Sequence, residues 1–160
     1  MPLFQWQDSY SVGVPFIDTD HQVLVSLLNQ LHEAQEEGQG QEVIGSVLNV
    51  LIEYTVNHFR REERLMELGH YPDLAEHRLL HQKLCDEVLR LQAAFESGQG
   101  DAVAELNVFL KNWLMGHILG IDTQYKPYVA NVEMVPEDLL TPFGMGELNV
   151  DEDQFPEELN

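Results

Sequence analysis

The spacing of the apolar residues is the feature that most constrains the fold of this chain. In four successive segments they recur at alternating steps of three and four, which places them along one face of an α-helix. The spacing predicts helices at 19–37, 41–67, 73–96 and 101–121, separated by glycine-containing turns at 38–41, 69–72 and 97–100. Four helices of similar length with short connections indicate an all-α fold, an up-down-up-down four-helix bundle.

Polar side chains interrupt the apolar face of every predicted helix. They are five histidines and one glutamate: His21 in the first helix, His58 and Glu62 in the second, His77 and His81 in the third, and His117 in the fourth. A buried polar group without a partner costs about 1 to 3 kcal/mol, and a buried carboxylate costs more unless it is paired or bound to a cation. The five histidines and the glutamate therefore indicate a shared metal site in the bundle interior.

Asp122 is a seventh candidate ligand, but its place in the sequence raises a geometric problem. It follows His117 by five residues, and an ideal α-helix would turn its side chain about 140° away from that histidine. Both can reach one site only if the helix widens locally, as in a π-bulge, or ends there. Gly116 and Gly120 are compatible with either arrangement.

Seven candidate ligands are too many for one ion and suit two. His58 and Glu62 are four residues apart, so both lie on one face of their helix. The same holds for His77 and His81. Imidazole and carboxylate ligands without a thiolate suit iron, manganese or zinc, and carboxylates can bridge a pair of ions.

The charge of the chain argues against several classes of partner. Among 160 residues, 28 are acidic and only 8 are basic, and the resulting net charge of -20 repels nucleic acid and anionic membranes. Cys85 is the single cysteine, which excludes an internal disulfide framework. No basic segment followed by an apolar run opens the sequence, and no apolar stretch is long enough to cross a membrane. We therefore expect a cytoplasmic protein that does not insert into membranes.

Both ends of the chain differ from the helical region. Residues 1–18 are rich in aromatic side chains without helical spacing, which predicts an irregular N-terminal arm packed on the bundle. Residues 131–160 contain nine acidic residues and three prolines but no lysine or arginine. We interpret 1–130 as one helical domain and 131–160 as an acidic C-terminal extension, either solvated or docked on the bundle or on a partner.

Five short motifs together resemble the hemerythrin family, especially its bacterial single-domain members. They are YSVGV at 10–14, IDTDHQ at 17–22, HFRREE at 58–63, Tyr-Pro at 71–72 ahead of HRLLH at 77–81, and WLMGHILGID at 113–122. The resemblance covers about residues 3–128, and all seven ligand positions are filled in the order of the family.

The resemblance implies a non-haem di-iron centre. In this family Glu62 and Asp122 would bridge two irons together with an oxo or hydroxo group. One iron would be held by His77, His81 and His117, and the other by His21 and His58. With about six ligands per iron, one coordination position stays open on the iron that has two histidines, and in this family O2 binds there reversibly.

Four residues resemble the family's pocket lining around the bound O2: Phe59, Trp113, Leu114 and Tyr125. Each could equally be an ordinary core residue. Glu63 lies about 100° around the helix from Glu62, and we expect it to pair with Arg60 or Arg64 at the surface.

The predicted function is reversible O2 binding for storage, transport or delivery to oxygen-requiring enzymes. Ferritin-like di-iron oxidases use about four carboxylates and two histidines, whereas histidine dominates here, which favours a carrier over an enzyme. Two alternatives remain: an oxygen or redox sensor, and a di-iron enzyme acting on peroxide, nitric oxide or ferrous iron. The expected partners are O2 and an oxygen-consuming enzyme, and the expected state is a monomer or small homo-oligomer.

Overall fold

The fold is a bundle of four long helices, and the computed structural model describes it for residues 3–99 and 101–133. The helices are α1 (Pro15–Glu36), α2 (Gln41–Leu68), α3 (Leu74–Glu96) and α4 (Ala102–Gly116). Each packs against the next, and α1 also packs against α4, which closes the bundle. The predicted all-α four-helix bundle is confirmed. From residue 134 onward the predicted acidic extension lies outside the described residues.

The chain after α4 differs from the single helix predicted at 101–121. A π-helical turn (His117–Ile121) continues α4, followed by a 3-10 turn (Asp122–Tyr125) and the short helix α5 (Lys126–Val129). A second, smaller core covers this end of the bundle. Its buried members come from the arm, α1, the end of α2, the following loop and the C-terminal turns: Val12, Ile17, Leu65, Met66, Tyr71, Tyr125 and Val129. The end of the bundle that holds the predicted site is thus closed.

The N-terminal arm packs on the bundle as predicted. Phe4 is buried in the main core, and its backbone exchanges two hydrogen bonds with the side chain of Asn29 in α1, at 2.9 and 2.7 Å. The first long helix begins at Pro15, four residues earlier than predicted, because proline suits the first helical position, where an amide hydrogen would have no partner. None of the described helices combines the length and apolar composition that a membrane span requires.

Gly69, at the end of α2, lies close to the backbone of α5. A Cβ at this position would lie 2.6 Å from the carbonyl oxygen of Tyr128, a backbone atom that cannot move without displacing α5. We expect Gly69→Ala to destabilise the fold by about 1 to 3 kcal/mol, measured from urea unfolding midpoints. Gly116→Ala is the matched control, because no atom lies within 4 Å of its added Cβ. Equal stability of the two variants would contradict this account of the α2–α5 contact.

Candidate metal centre

All seven predicted ligand side chains meet inside the bundle. None is more than 4% exposed. α1 supplies one, α2 two, α3 two, and the π-helical turn and the residue after it supply the last two: His21, His58, Glu62, His77, His81, His117 and Asp122. The helical spacing therefore brings six of them to a common site, and Asp122 joins them from just beyond the π-helical turn.

The ligand atoms form two groups that share Glu62. Within each group all atoms lie within 4.8 Å of one another, and the groups are Glu62 with His77, His81 and His117, and Glu62 with His21 and His58. Glu62 Oε1 lies 2.9 Å from His77 Nε2, and its Oε2 lies 3.2 Å from His58 Nε2. A carboxylate between two sets of imidazoles is suited to bridging two ions.

Asp122 reaches both groups because the helix widens before it. Its backbone N–H donates to the carbonyl oxygen of His117, which is the i to i+5 bond of a π-helix. That turn brings the two side chains together, with Asp122 Oδ1 2.8 Å from His117 Nε2. Asp122 Oδ2 lies 3.1 Å from His21 Nε2 in the other group. Of the two arrangements considered from the sequence, the structure has the local widening.

The three-histidine group is spaced as the ligands of one ion would be. His117 Nε2 lies 3.1 Å from His77 Nε2 and 3.2 Å from His81 Nε2. An imidazole nitrogen carries at most one hydrogen, so hydrogen bonding cannot satisfy all of these contacts. Neighbouring donors around an octahedral ion with metal–nitrogen bonds of about 2.1 Å are roughly 3.0 Å apart. The distances between these Nε2 atoms therefore suit binding to a common cation better than hydrogen bonding to one another.

Several of the atoms that could bind a metal ion have no hydrogen-bond partner among the described residues. They include both oxygens of Asp122 and both ring nitrogens of His21, although His21 Nε2 and Asp122 Oδ2 are only 3.1 Å apart. These atoms are close but not oriented for a hydrogen bond. Buried polar atoms in native proteins are almost always satisfied, and a cation between them would satisfy them.

Two buried carboxylates hold protons on the imidazoles when no metal is bound. Burial lowers the pKa of His21, but the carboxylates of Asp122 and Glu62 close to its ring outweigh burial and raise that pKa to about 10. The same balance raises the pKa of His77 and of His117 to about 9. Burial raises the pKa of Glu62, yet the nearby imidazoles hold it well below its usual range. A metal ion must therefore displace protons to bind here.

Comparison with known proteins assigns the family. The model of the hemerythrin HHE cation binding domain matches residues 12–129, which is most of the chain and includes all seven residues of the site. The chain belongs to the hemerythrin family. The bacteriohemerythrin of Stenotrophomonas maltophilia is 36% identical over 129 residues, covering 81% of this chain and 83% of the relative. Myohemerythrin of Riftia pachyptila is 31% identical over 123 residues, covering 77% and 91%.

Solved structures agree with this assignment. The crystal structure of a wild-type hemerythrin superposes with a TM-score of 0.74 at 32% sequence identity, covering 80% of this chain and 98% of that one. Among relatives found by sequence alone, the bacteriohemerythrin of Methylococcus capsulatus is 34% identical over 131 residues, covering 81% of this chain and 99% of the relative. The match spans the helical bundle and most of each related chain.

In this hemerythrin-family chain, a second layer of polar residues contacts the histidines, and the sequence did not predict it. Asp20 Oδ2 accepts hydrogen bonds from His58 Nδ1 at 3.0 Å and Arg61 Nε at 2.8 Å. Its Oδ1 accepts from Arg61 Nη2 at 2.8 Å and from the Tyr54 hydroxyl at 2.7 Å. Burial raises the pKa of Asp20, but His58 and Arg61 hold it well below its usual range. The only feature of the sequence that could have indicated a role for Asp20 at the site is its position next to His21.

Glu63 has two partners that the sequence did not predict. His81 Nδ1 donates to its Oε2 at 2.8 Å, and Arg78 Nε donates to its Oε1 at 3.1 Å. We had expected a partner from its own helix, Arg60 or Arg64. The close packing of α2 and α3 also brings Glu63 onto a histidine of the hemerythrin-type site.

Two of the four predicted pocket residues stack on the three-histidine group. The ring of Phe59 is parallel to His81, with centroids 3.7 Å apart and an interplanar angle of 6°. Trp113 stacks on His117 at 4.6 Å and 23°, and meets Phe59 edge to face at 5.4 Å. The rings of Phe59 and Trp113 therefore cover His81 and His117.

The other two predicted pocket residues are fully inside the hemerythrin bundle. Leu114 is buried in the main core. The Tyr125 hydroxyl donates to Glu62 Oε2 at 3.2 Å, and burial together with the nearby carboxylates raises the pKa of Tyr125 well above its usual value. Tyr125 therefore keeps its proton and acts as a hydrogen-bond donor to the shared carboxylate.

Proposed function

We propose that this chain binds O2 reversibly at a non-haem di-iron centre, for storage, transport or delivery to oxygen-requiring enzymes. The observation that carries the proposal is the pair of ligand groups that share Glu62 and are also joined by Asp122. One group has three imidazoles and the other has two, so a pair of equally coordinated ions would leave one position free.

The residues divide between the two irons as follows in this proposal. Glu62 and Asp122 would be shared by the two irons, which would also carry an oxo or hydroxo group. His77, His81 and His117 would hold one iron, and His21 and His58 would hold the other. When bound, the iron pair supplies redox-active metal with one exchangeable position, and O2 is the ligand for which that position is suited.

The chain's own residues would keep this chemistry reversible. Five neutral imidazoles and two carboxylates give a less anionic ligand set than the four carboxylates and two histidines of ferritin-like di-iron oxidases. Buried Phe59 and Leu114 and partly buried Trp113 would exclude water from the site, and Tyr125 would hold a proton on its hydroxyl beside Glu62. Excluding water would slow the autoxidation of the iron pair.

An oxygen-dependent spectrum tests the proposal. Iron-loaded chain should gain visible absorption bands in air and lose them under vacuum, over repeated cycles without loss of amplitude. A chain that holds two irons but has no oxygen-dependent spectrum would contradict O2 binding. Steady turnover of peroxide, nitric oxide or ferrous iron, with rapid decay of the oxygenated form, would instead identify an enzyme.

The domain assignment leads to a prediction about the acidic extension. We propose that residues 1–130 form the metal-binding domain and that 131–160 are an extension from it. Val132 still packs on the second core, so the appropriate truncation follows Glu133. The chain shortened to 1–133 is expected to keep its metal content and its O2 affinity within about twofold, because all seven proposed ligands precede the cut. A larger change in O2 affinity, measured by spectrophotometric titration, would favour the sensor alternative.

A further inference from the structure

Asp20 is a carboxylate just outside the proposed ligand set, and several polar side chains hold it. It accepts four hydrogen bonds from three side chains of α2, namely Tyr54, His58 and Arg61. Asp20 and Arg61 are each 5% exposed, so the pair is shielded from solvent. Arg61 also lies over the Tyr54 ring, with its guanidinium carbon 5.5 Å from the ring centroid. We call these four residues the Asp20 cluster.

The cluster joins the two helices that supply the two-histidine group. Asp20 precedes His21 in α1, and it bonds the ring of His58 in α2. One carboxylate therefore bonds the ring of His58 and ties it to the turn of α1 that carries His21. A hydrogen bond at Nδ1 leaves the Nε2 lone pair free and aims it at the metal.

Glu63 is the corresponding carboxylate on the three-histidine group, but it is held differently. It bonds His81 Nδ1 at 2.8 Å, and it also bonds Arg78, which is 49% exposed and contacts Glu67 at the surface. Ion pairs that reach the surface contribute little, because water screens them. The Arg61 fork, by contrast, grips both oxygens of Asp20 and prevents the carboxylate from rotating.

We propose that Asp20 is a positioning residue for the two-histidine half of the centre, with Arg61 as its counter-ion. This half has one imidazole fewer, and the Asp20 cluster compensates by holding His21 and His58 in place before the metal arrives. Glu63 orients a histidine in the half that already has three, so its loss matters less. The inference rests on the proposed two-metal centre.

Chelator titrations of the full-length chain test the proposal. The parent, Asp20→Asn and Glu63→Gln are loaded with Fe2+ under nitrogen, and iron per chain is measured against rising concentrations of ethylenediaminetetraacetate. Loss of a side chain that hydrogen-bonds a metal ligand typically weakens metal binding by about 10- to 100-fold. We expect D20N to release one of its two irons at a chelator concentration lower by that factor, while the second iron is released as in the parent. E63Q is expected to shift by less than about threefold.

Three results would overturn the proposal: D20N releasing both irons together, D20N titrating like the parent, or E63Q shifting as far as D20N. Circular dichroism of the metal-free variants checks that they fold. Should metal-free D20N not fold, Tyr54→Phe removes one bond to Asp20 and keeps its charge. Earlier release of one iron from Y54F would support the proposal, and a parent-like titration would overturn it. A parent that holds two irons but no O2 would contradict the proposed function and leave this test intact.

Discussion

Glu62→Gln is expected to abolish binding of both metal ions. The Glu62 side chain is fully buried, and its two oxygens lie within 3.7 Å of an Nε2 atom on every one of the five histidines. The amide keeps the size of the side chain but removes its negative charge and one of its two oxygens. Because both ions would share this carboxylate, neither half of the centre keeps its full set of ligands.

The expected loss of metal affinity exceeds that of Asp20→Asn or Glu63→Gln, which change side chains that only hydrogen-bond a proposed ligand. Outer partners of metal ligands contribute about 10- to 100-fold in affinity, so removal of a shared ligand should cost more than about 100-fold. Purified E62Q should contain less than half an iron per chain by atomic emission after gel filtration. Glu53→Gln is the matched control, because it makes the same change at an exposed position of the same helix. E62Q that retained two irons would rule out Glu62 as the shared ligand.

Metal binding at neutral pH is expected to release about three protons per chain. The pKa values of His21, His77 and His117 are raised to between about 9 and about 10 by the two buried carboxylates, so all three imidazoles are protonated in the metal-free chain at pH 7.5. A metal ligand must be a neutral imidazole, so each must lose its proton. Apparent affinity for each ion should therefore rise by up to about tenfold per pH unit for every proton that the ion displaces. Calorimetric titrations in buffers of different ionisation enthalpy measure the protons, and release of none would contradict this account.

The same pKa values predict how the metal-free chain responds to alkaline pH. The folded-state pKa values of these histidines are raised, so their contribution to stability is fully present below about pH 6.5, the pKa in the unfolded chain. It declines as the pH rises and is lost as the pH passes through about 9 to 10. The thermal midpoint of metal-free chain should therefore fall between pH 6.5 and 10, while the metal-loaded chain should change much less. Parallel falls in both forms would contradict a role for these imidazolium–carboxylate pairs.

Helical spacing in the sequence was sufficient to predict the bundle and to bring six of the seven candidate ligands together. His21 and His117 are far apart in sequence, but each lies on the apolar face of its helix and all such faces meet in one interior. Asp122 lay off that face in an ideal helix. Only the π-helical turn, which the glycines at 116 and 120 allowed but did not require, brings it in.

The residues that the sequence did not predict are those whose role depends on a neighbouring helix. Periodicity indicates which positions are buried, but it does not indicate which side chains meet across two helices. Asp20 is the example: its partner Arg61 is 41 residues away, and no local pattern links them. For Glu63 the sequence suggested partners in its own helix, and it did not reveal the two contacts that α3 supplies.

The most direct test of the central claim is the amount of O2 bound per iron. Two ligand groups that share Glu62, with three imidazoles in one and two in the other, predict a single exchangeable position per iron pair. Anaerobic chain loaded with two ferrous ions and titrated with O2 should take up one O2 per two irons and return it on evacuation. Uptake of one O2 per iron, uptake that cannot be reversed, or no uptake by a chain that holds both irons would contradict the account.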